Sequence, residues 1–233
     1  MKSPTLLKAL ALAVGIVTAG SASAASIEAN DQVTIEDAAF WAPSDLYRSV
    51  KIQLDGSGTD VSVPSGLFDI DATKVDGGAY VRLLAFCLQP EATLTKFDNP
   101  YTAVSLGSSA VVGDADGIAK LWAAYRGSVV DDTSAAAFQL AVWELAYDGD
   151  TNLSTGDFMS VTASAALTLA NQWLASLSGL TAKASNLLVL TDNSNSNLGD
   201  KQDLLIQTPI PGTLGLLGLG LLGLGGLRRK AKV

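Results

Sequence analysis

The chain contains no histidine and a single cysteine, Cys87, in 233 residues. Without imidazole, Ser-His-Asp and Cys-His nucleophilic centres are excluded, and so are the usual zinc sites, which need it as base or ligand. With one cysteine no intramolecular disulfide can form. Aromatic residues make up 6% and charged residues 16% of the chain, and no polybasic stretch interrupts its body. All 23 acidic residues lie between the two ends. Two of the 15 basic residues fall in 1–24 and four in the last six positions, which leaves nine basic against 23 acidic residues, a net charge of −14, in the middle. So acidic a surface argues against nucleic acid and anionic membrane as partners.

What is present is most explicit at the ends. Lys2 and Lys8 are followed by an apolar run from Leu6 to Val17 and by Ala22-Ser23-Ala24, the order of a secretory signal peptide cut after residue 24. The run is short for a permanent membrane span. At the other end, Pro209-Ile210-Pro211-Gly212-Thr213 precedes Leu214 to Leu227, made only of Leu and Gly, and then Arg228, Arg229, Lys230 and Lys232. As a helix that span would be about 21 Å long against a bilayer core of about 30 Å. Its basic end is expected to stay cytoplasmic, leaving the body outside the inner membrane. The expected division is a signal peptide over 1–24, an extracellular domain over 25–207 and a tail over 208–233.

That tail resembles the PEP-CTERM sorting signal: a proline motif, a short Gly/Leu span and a terminal arginine cluster. Ile210 stands where the family carries glutamate. The resemblance implies an exosortase-type processing enzyme as partner in a Gram-negative bacterium that makes exopolysaccharide. It also implies residence at the cell surface or in the extracellular matrix. A plain single-span anchor is the alternative.

Within the body, residues 32–86 are strand-like. Ser49–Leu54, Val61–Val63 and Ala79–Phe86 are rich in aliphatic and aromatic residues. Turn signals at Asp55-Gly56-Ser57-Gly58, Pro64-Ser65-Gly66 and Asp76-Gly77-Gly78 separate them. The period then changes to helical over Ile118–Arg126, Ala135–Tyr147 and Val161–Leu177, with Asp131-Asp132-Thr133-Ser134 as a helix start. Residues 89–99 and 192–203 are expected as loops, and Asn186–Leu190 and Leu204–Gln207 as closing strands. The fold class that follows is α+β: an antiparallel β-sheet region packed with about three helices, plus terminal signal and tail helices.

The helix over 135–147 is apolar nearly all round, with only Gln139 and Glu144 polar, so it is expected to be buried. A buried amide without partners costs about 1–3 kcal/mol, so Gln139 must be hydrogen-bonded or chemically changed. An exported lone thiol at Cys87 needs burial or chemistry of its own.

Phe86-Cys87 at a strand end, with a distant Gln139-Leu140-Ala141-Val142-Trp143, resembles the thioester domains of bacterial surface proteins. Phe138 takes the place of the family's frequent threonine. Tyr147-Asp148 and the loop Leu153–Phe158 extend the likeness to a subgroup found on PEP-CTERM proteins. The resemblance implies that Cys87 and Gln139 join in an internal thioester shielded by Phe86, Phe138 and Trp143. It also implies a single-use adhesin for an amine-bearing target rather than a turnover enzyme, with no cofactor. The alternatives are a free buried thiol and a non-reactive structural protein of the polysaccharide matrix. Asp148-Gly149-Asp150-Thr151-Asn152-Leu153-Ser154 has oxygen ligands at alternate positions, but Leu153 and Met159 stand where an EF-hand needs Gly and Glu. The expectation there is a solvated turn and no metal.

Overall fold

Helix α2 (Asp132–Tyr147) organises the molecule, because every residue from Ser134 to Ala146 is buried. It begins at a capping box: Asp131 accepts from the Ser134 N–H at 2.7 Å, and Ser134 Oγ accepts from the Asp131 N–H at 3.0 Å. Two orphan donors of the first turn are thereby satisfied. Such a helix needs neighbours on all sides. It finds them in α1 (Ala115–Tyr125), α3 (Ala165–Ser176) and strands from two sheets. The computed structural model describes residues 26–39, 46–76, 80–92, 94, 100–161, 163–192 and 201–208. The expected signal helix and tail helix therefore lie outside the described residues. Among those described, no helix is long and apolar enough to cross a membrane.

The strands form a closed antiparallel barrel and a separate three-stranded sheet. In the barrel, β1 (Gln32–Ala39) pairs with β4 (Phe68–Lys74), β4 with β5 (Tyr80–Cys87), and β5 with β9 (Leu204–Gln207). Strand β9 pairs with β8 (Leu187–Asp192), β8 with β6 (Tyr101–Ser105), and β6 closes on β1. Alternation sets the inner face: Phe68, Ile70 and Ala72 of β4 are buried, while Asp69, Asp71 and Thr73 between them are partly exposed. A register shift between Ile35 and Asp37 bends β1, as a bulge does in a small barrel. The second sheet runs β3 (Val61–Gly66), β2 (Tyr47–Leu54), β7 (Phe158–Ser160) and lies against α2. The expected α+β class, antiparallel sheets with three helices, is the observed one.

Several local expectations needed correction. Pro64-Ser65-Gly66 does not turn; it continues β3, with Pro64 opposite Ser49 and Gly66 opposite Tyr47. Proline is tolerated there because β3 is an edge strand. Gly66 is required by close approach, since a Cβ would meet the Leu46 carbonyl oxygen at 2.2 Å. Helix α3 starts four residues later than expected, where Ser164 caps it by accepting from the Leu167 N–H at 3.1 Å. Strands β6 and β7 were not anticipated; they are only five and three residues long.

Candidate functional site

Cys87 is the last residue of β5, opposite Leu204 of β9, and Gln139 lies in the second turn of α2. Barrel and helix meet at these two residues. The Cys87 N–H donates to Gln139 Oε1 at 2.9 Å, and Gln139 Nε2 donates to the Cys87 carbonyl at 2.7 Å. Both residues are buried. The amide plane of Gln139 thus takes the position that a paired strand residue would take beside Cys87. Its need for partners is met by the cysteine's own backbone.

The thiol itself donates to the Gln89 carbonyl at 3.2 Å. Burial pushes the Cys87 thiol well above its ordinary range, opposed in part by the Trp143 indole N–H and by the backbone N–H of Gln89. The sulfur is therefore a protonated thiol at neutral pH, and among the described residues no titratable base is bonded to it. Among the described residues, Trp143 Nε1 is buried with no conventional acceptor of its own.

A clamp from the far end of the chain fixes the segment after Cys87. Gln202 Nε2 donates to the Gln89 and Ala92 carbonyls at 3.2 and 3.3 Å. The Asp203 N–H donates to Gln89 Oε1 at 3.0 Å, and the Leu88 N–H to the Asp203 carbonyl at 2.9 Å. Gln89, Gln202 and Asp203 were not singled out from sequence. The only signal was their position just after β5 and just before β9. Burial raises the Asp203 carboxyl to about 6.

The three aromatic residues expected around the site separate into two groups. Phe86 and Phe138 pack together with ring centroids 4.6 Å apart, and Trp122 lies edge-on to both at 5.9 and 5.7 Å. Successive strand residues point to opposite faces, so Phe86 and Cys87 diverge. The Arg126 guanidinium lies 5.8 Å over the Phe86 and Trp122 rings, and burial lowers its pKa. Trp143 is the ring beside the sulfur, and it packs on Phe158 at 5.8 Å.

Beyond Trp143, the C-terminal turns of α2 carry two acids of different fate. Glu144 is wholly buried; its Oε1 accepts from the Asn152 N–H at 2.7 Å, while Oε2 has no donor among the described residues. Burial, then the Asp150 carboxyl beside it, pushes Glu144 up to about 9, and the same pairing lowers Asp150. The buried carboxyl thus holds its proton while the exposed one is ionised. Asp148 closes the following loop by accepting from the Asp157 and Phe158 N–H groups at 2.8 and 3.1 Å. Gly156, at φ +114°, is required there because a Cβ would meet Asp148 Oδ2 at 2.2 Å. The oxygen-rich loop is thus folded on itself. Among the described residues, no group of three or more His, Cys, Asp or Glu is arranged to hold a metal ion.

Two clefts on the described residues bear on access to the junction. One, of about 280 Å³, is lined by Gln89, Val111, Val112, Gly113, Ala146 and Tyr147. The hydroxyl of Tyr147, one of these lining residues, donates to the carboxylate of the exposed Glu91. The other, of about 290 Å³, is lined by Arg82, Leu83, Leu84, Trp122, Arg126 and Gln207. No family model, no curated protein and no solved structure matches the chain.

Proposed function

We propose that the central region is a covalent-attachment module of an exported surface protein, in which Cys87 and Gln139 condense to an internal thioester. The observation that carries this reading is the pair of hydrogen bonds between the Gln139 amide and the Cys87 backbone, at 2.9 and 2.7 Å, in a buried setting. They hold the electrophilic amide against the residue that bears the nucleophile. In well-oriented intramolecular reactions such positioning removes about 7–11 kcal/mol of barrier.

The bond changes balance simply. The Cys87 sulfur forms a bond to the Gln139 side-chain carbonyl carbon, the carbon–nitrogen bond breaks, and the thiol proton leaves with the nitrogen as ammonia. As sulfur adds, the amide oxygen becomes an oxyanion, and the Cys87 N–H already points at it. One such donor is worth about 3–4 kcal/mol in enzymes that use it. Trp143 supplies a second N–H next to the sulfur, which favours thiolate character in a site that otherwise disfavours it. Burial then protects the product from hydrolysis until an amine displaces the sulfur. Each molecule acts once, so this is an adhesin and not an enzyme. The signal peptide and sorting tail would deliver it to the cell surface or extracellular matrix, with an exosortase-type enzyme handling residues 208–233.

A second reading has an observation of its own. Both polar atoms of the Gln139 amide are hydrogen-bonded and the thiol is neutral, which is also what a structural clamp in a non-reactive matrix protein needs. Methylamine treatment separates the two. The attachment module gains a methylamide on the Gln139 peptide and exposes one thiol per chain at Cys87. The clamp gives no adduct, and its thiol content does not change.

A further inference from the structure

We propose that the nucleophile reaches the Cys87–Gln139 junction through the cleft between the 110–113 loop and the end of α2, and that Glu91, held by Tyr147, favours a cationic amine over a neutral one. This rests on the thioester reading above.

Cys87 and Gln139 are closed to solvent, so an incoming group needs a route. The cleft offers one, because Gln89, which lines it, is the residue whose carbonyl accepts the Cys87 thiol. Ala146 and Tyr147 form its other side, one turn beyond Trp143 on the same helix. Its volume is about 280 Å³, near the lower end of the range of small-molecule sites, about 300–1,000 Å³. Its walls are mainly aliphatic, from Val111, Val112 and Ala146, and among the described residues no basic side chain lines it.

Charge distinguishes the two clefts. The second carries Arg82 and Arg126; Arg82 is paired with Asp69, but Arg126 lies over aromatic rings. An ammonium approaching there meets a guanidinium. An ammonium entering the first cleft approaches the Glu91 carboxylate, which is hydrogen-bonded to the hydroxyl of the lining Tyr147. The protonated amine is concentrated beside this carboxylate and loses one proton to it or to water. The neutral nitrogen attacks the Gln139 carbonyl carbon, the carbon–sulfur bond breaks, and the amine's second proton ends on the sulfur. An amide at Gln139 and a free Cys87 thiol remain.

The test uses the full mature chain and two probes, methylamine, cationic at neutral pH, and hydroxylamine, neutral there. Thioester loss is followed by mass for wild type, Glu91→Gln, Glu91→Lys and Arg82→Gln. All four should first show the mass deficit of one ammonia, since none of these residues touches the junction. Glu91→Gln is then expected to slow methylamine about tenfold, and Glu91→Lys further, with hydroxylamine changed by less than about twofold. The wild-type preference should shrink as salt rises, and that of Glu91→Gln should not. Equal slowing of both probes, or none, overturns the selection role. A larger effect at Arg82 overturns the route. Absence of the deficit from wild type instead removes the thioester reading itself, and this proposal with it.

Discussion

Replacing Cys87 by alanine separates a covalent junction from a hydrogen-bonded one by magnitude alone. Cys87 and Gln139 are 52 residues apart in the chain. A cross-link between them removes loop-closure entropy from the unfolded state. By the chain-entropy relation for a loop of that size, it stabilises by about 4 kcal/mol. Two smaller contributions nearly cancel. Departure of ammonia takes away the donor to the Cys87 carbonyl, at about 1 kcal/mol. Alanine at 87 also leaves a small void, again about 1 kcal/mol. Cys87→Ala should therefore cost about 4 kcal/mol if the bond exists, and only about 1 kcal/mol if it does not. For a domain of this size the corresponding falls in Tm are about 8–16 °C and about 2–4 °C. Thermal melts followed by far-UV circular dichroism, with urea titrations for the free energy, are sufficient. Repeating Cys87→Ala in a Gln139→Ala background adds a control. The cross-link is already absent there, so the second substitution should cost about 1 kcal/mol. A shift under about 4 °C in both backgrounds would refute the covalent junction.

Two further outcomes follow from the surroundings of α2. Asp131→Ala removes one half of the capping box and should lower stability by about 1–2 kcal/mol in urea unfolding, because the helix it starts is the centre of the core. Glu144 keeps its proton up to about 9 in the folded protein, whereas the unfolded group ionises near its ordinary 4.5. The folded state binds more protons between those values. Stability from this group is thus greatest below 4.5 and falls as pH rises, by up to about 1.4 kcal/mol per pH unit. Glu144→Gln should flatten that slope between pH 5 and 9, roughly, in melts across the range; an unchanged slope would place the titration elsewhere.

Helix α2 was readable from sequence because two independent signals agree on it. Asp131 and Ser134 mark its start, and apolar residues on every face demand burial. Cys87 and Gln139 were joined through a motif likeness, not through periodicity. Their contact depends on β5 ending where α2 crosses the barrel rim, which no local pattern encodes. Strand β6 escaped notice for the same reason. Tyr101–Ser105 is too short to stand out, and its pairing with both β1 and β8 closes a barrel only in three dimensions. The clamp of Gln202 and Asp203 on Gln89 looked like ordinary loop polarity until β9 was paired beside β5. Pro64 read as a turn because edge and central strands cannot be told apart before the sheet order is known.

The most direct measurement is the intact mass of the mature protein, taken under denaturing conditions and compared with Cys87→Ala. A thioester predicts a wild-type mass one ammonia below that of its composition, with the deficit lost in the variant and on amine treatment. A wild-type mass equal to its composition, with Cys87 fully alkylated once unfolded, would contradict it.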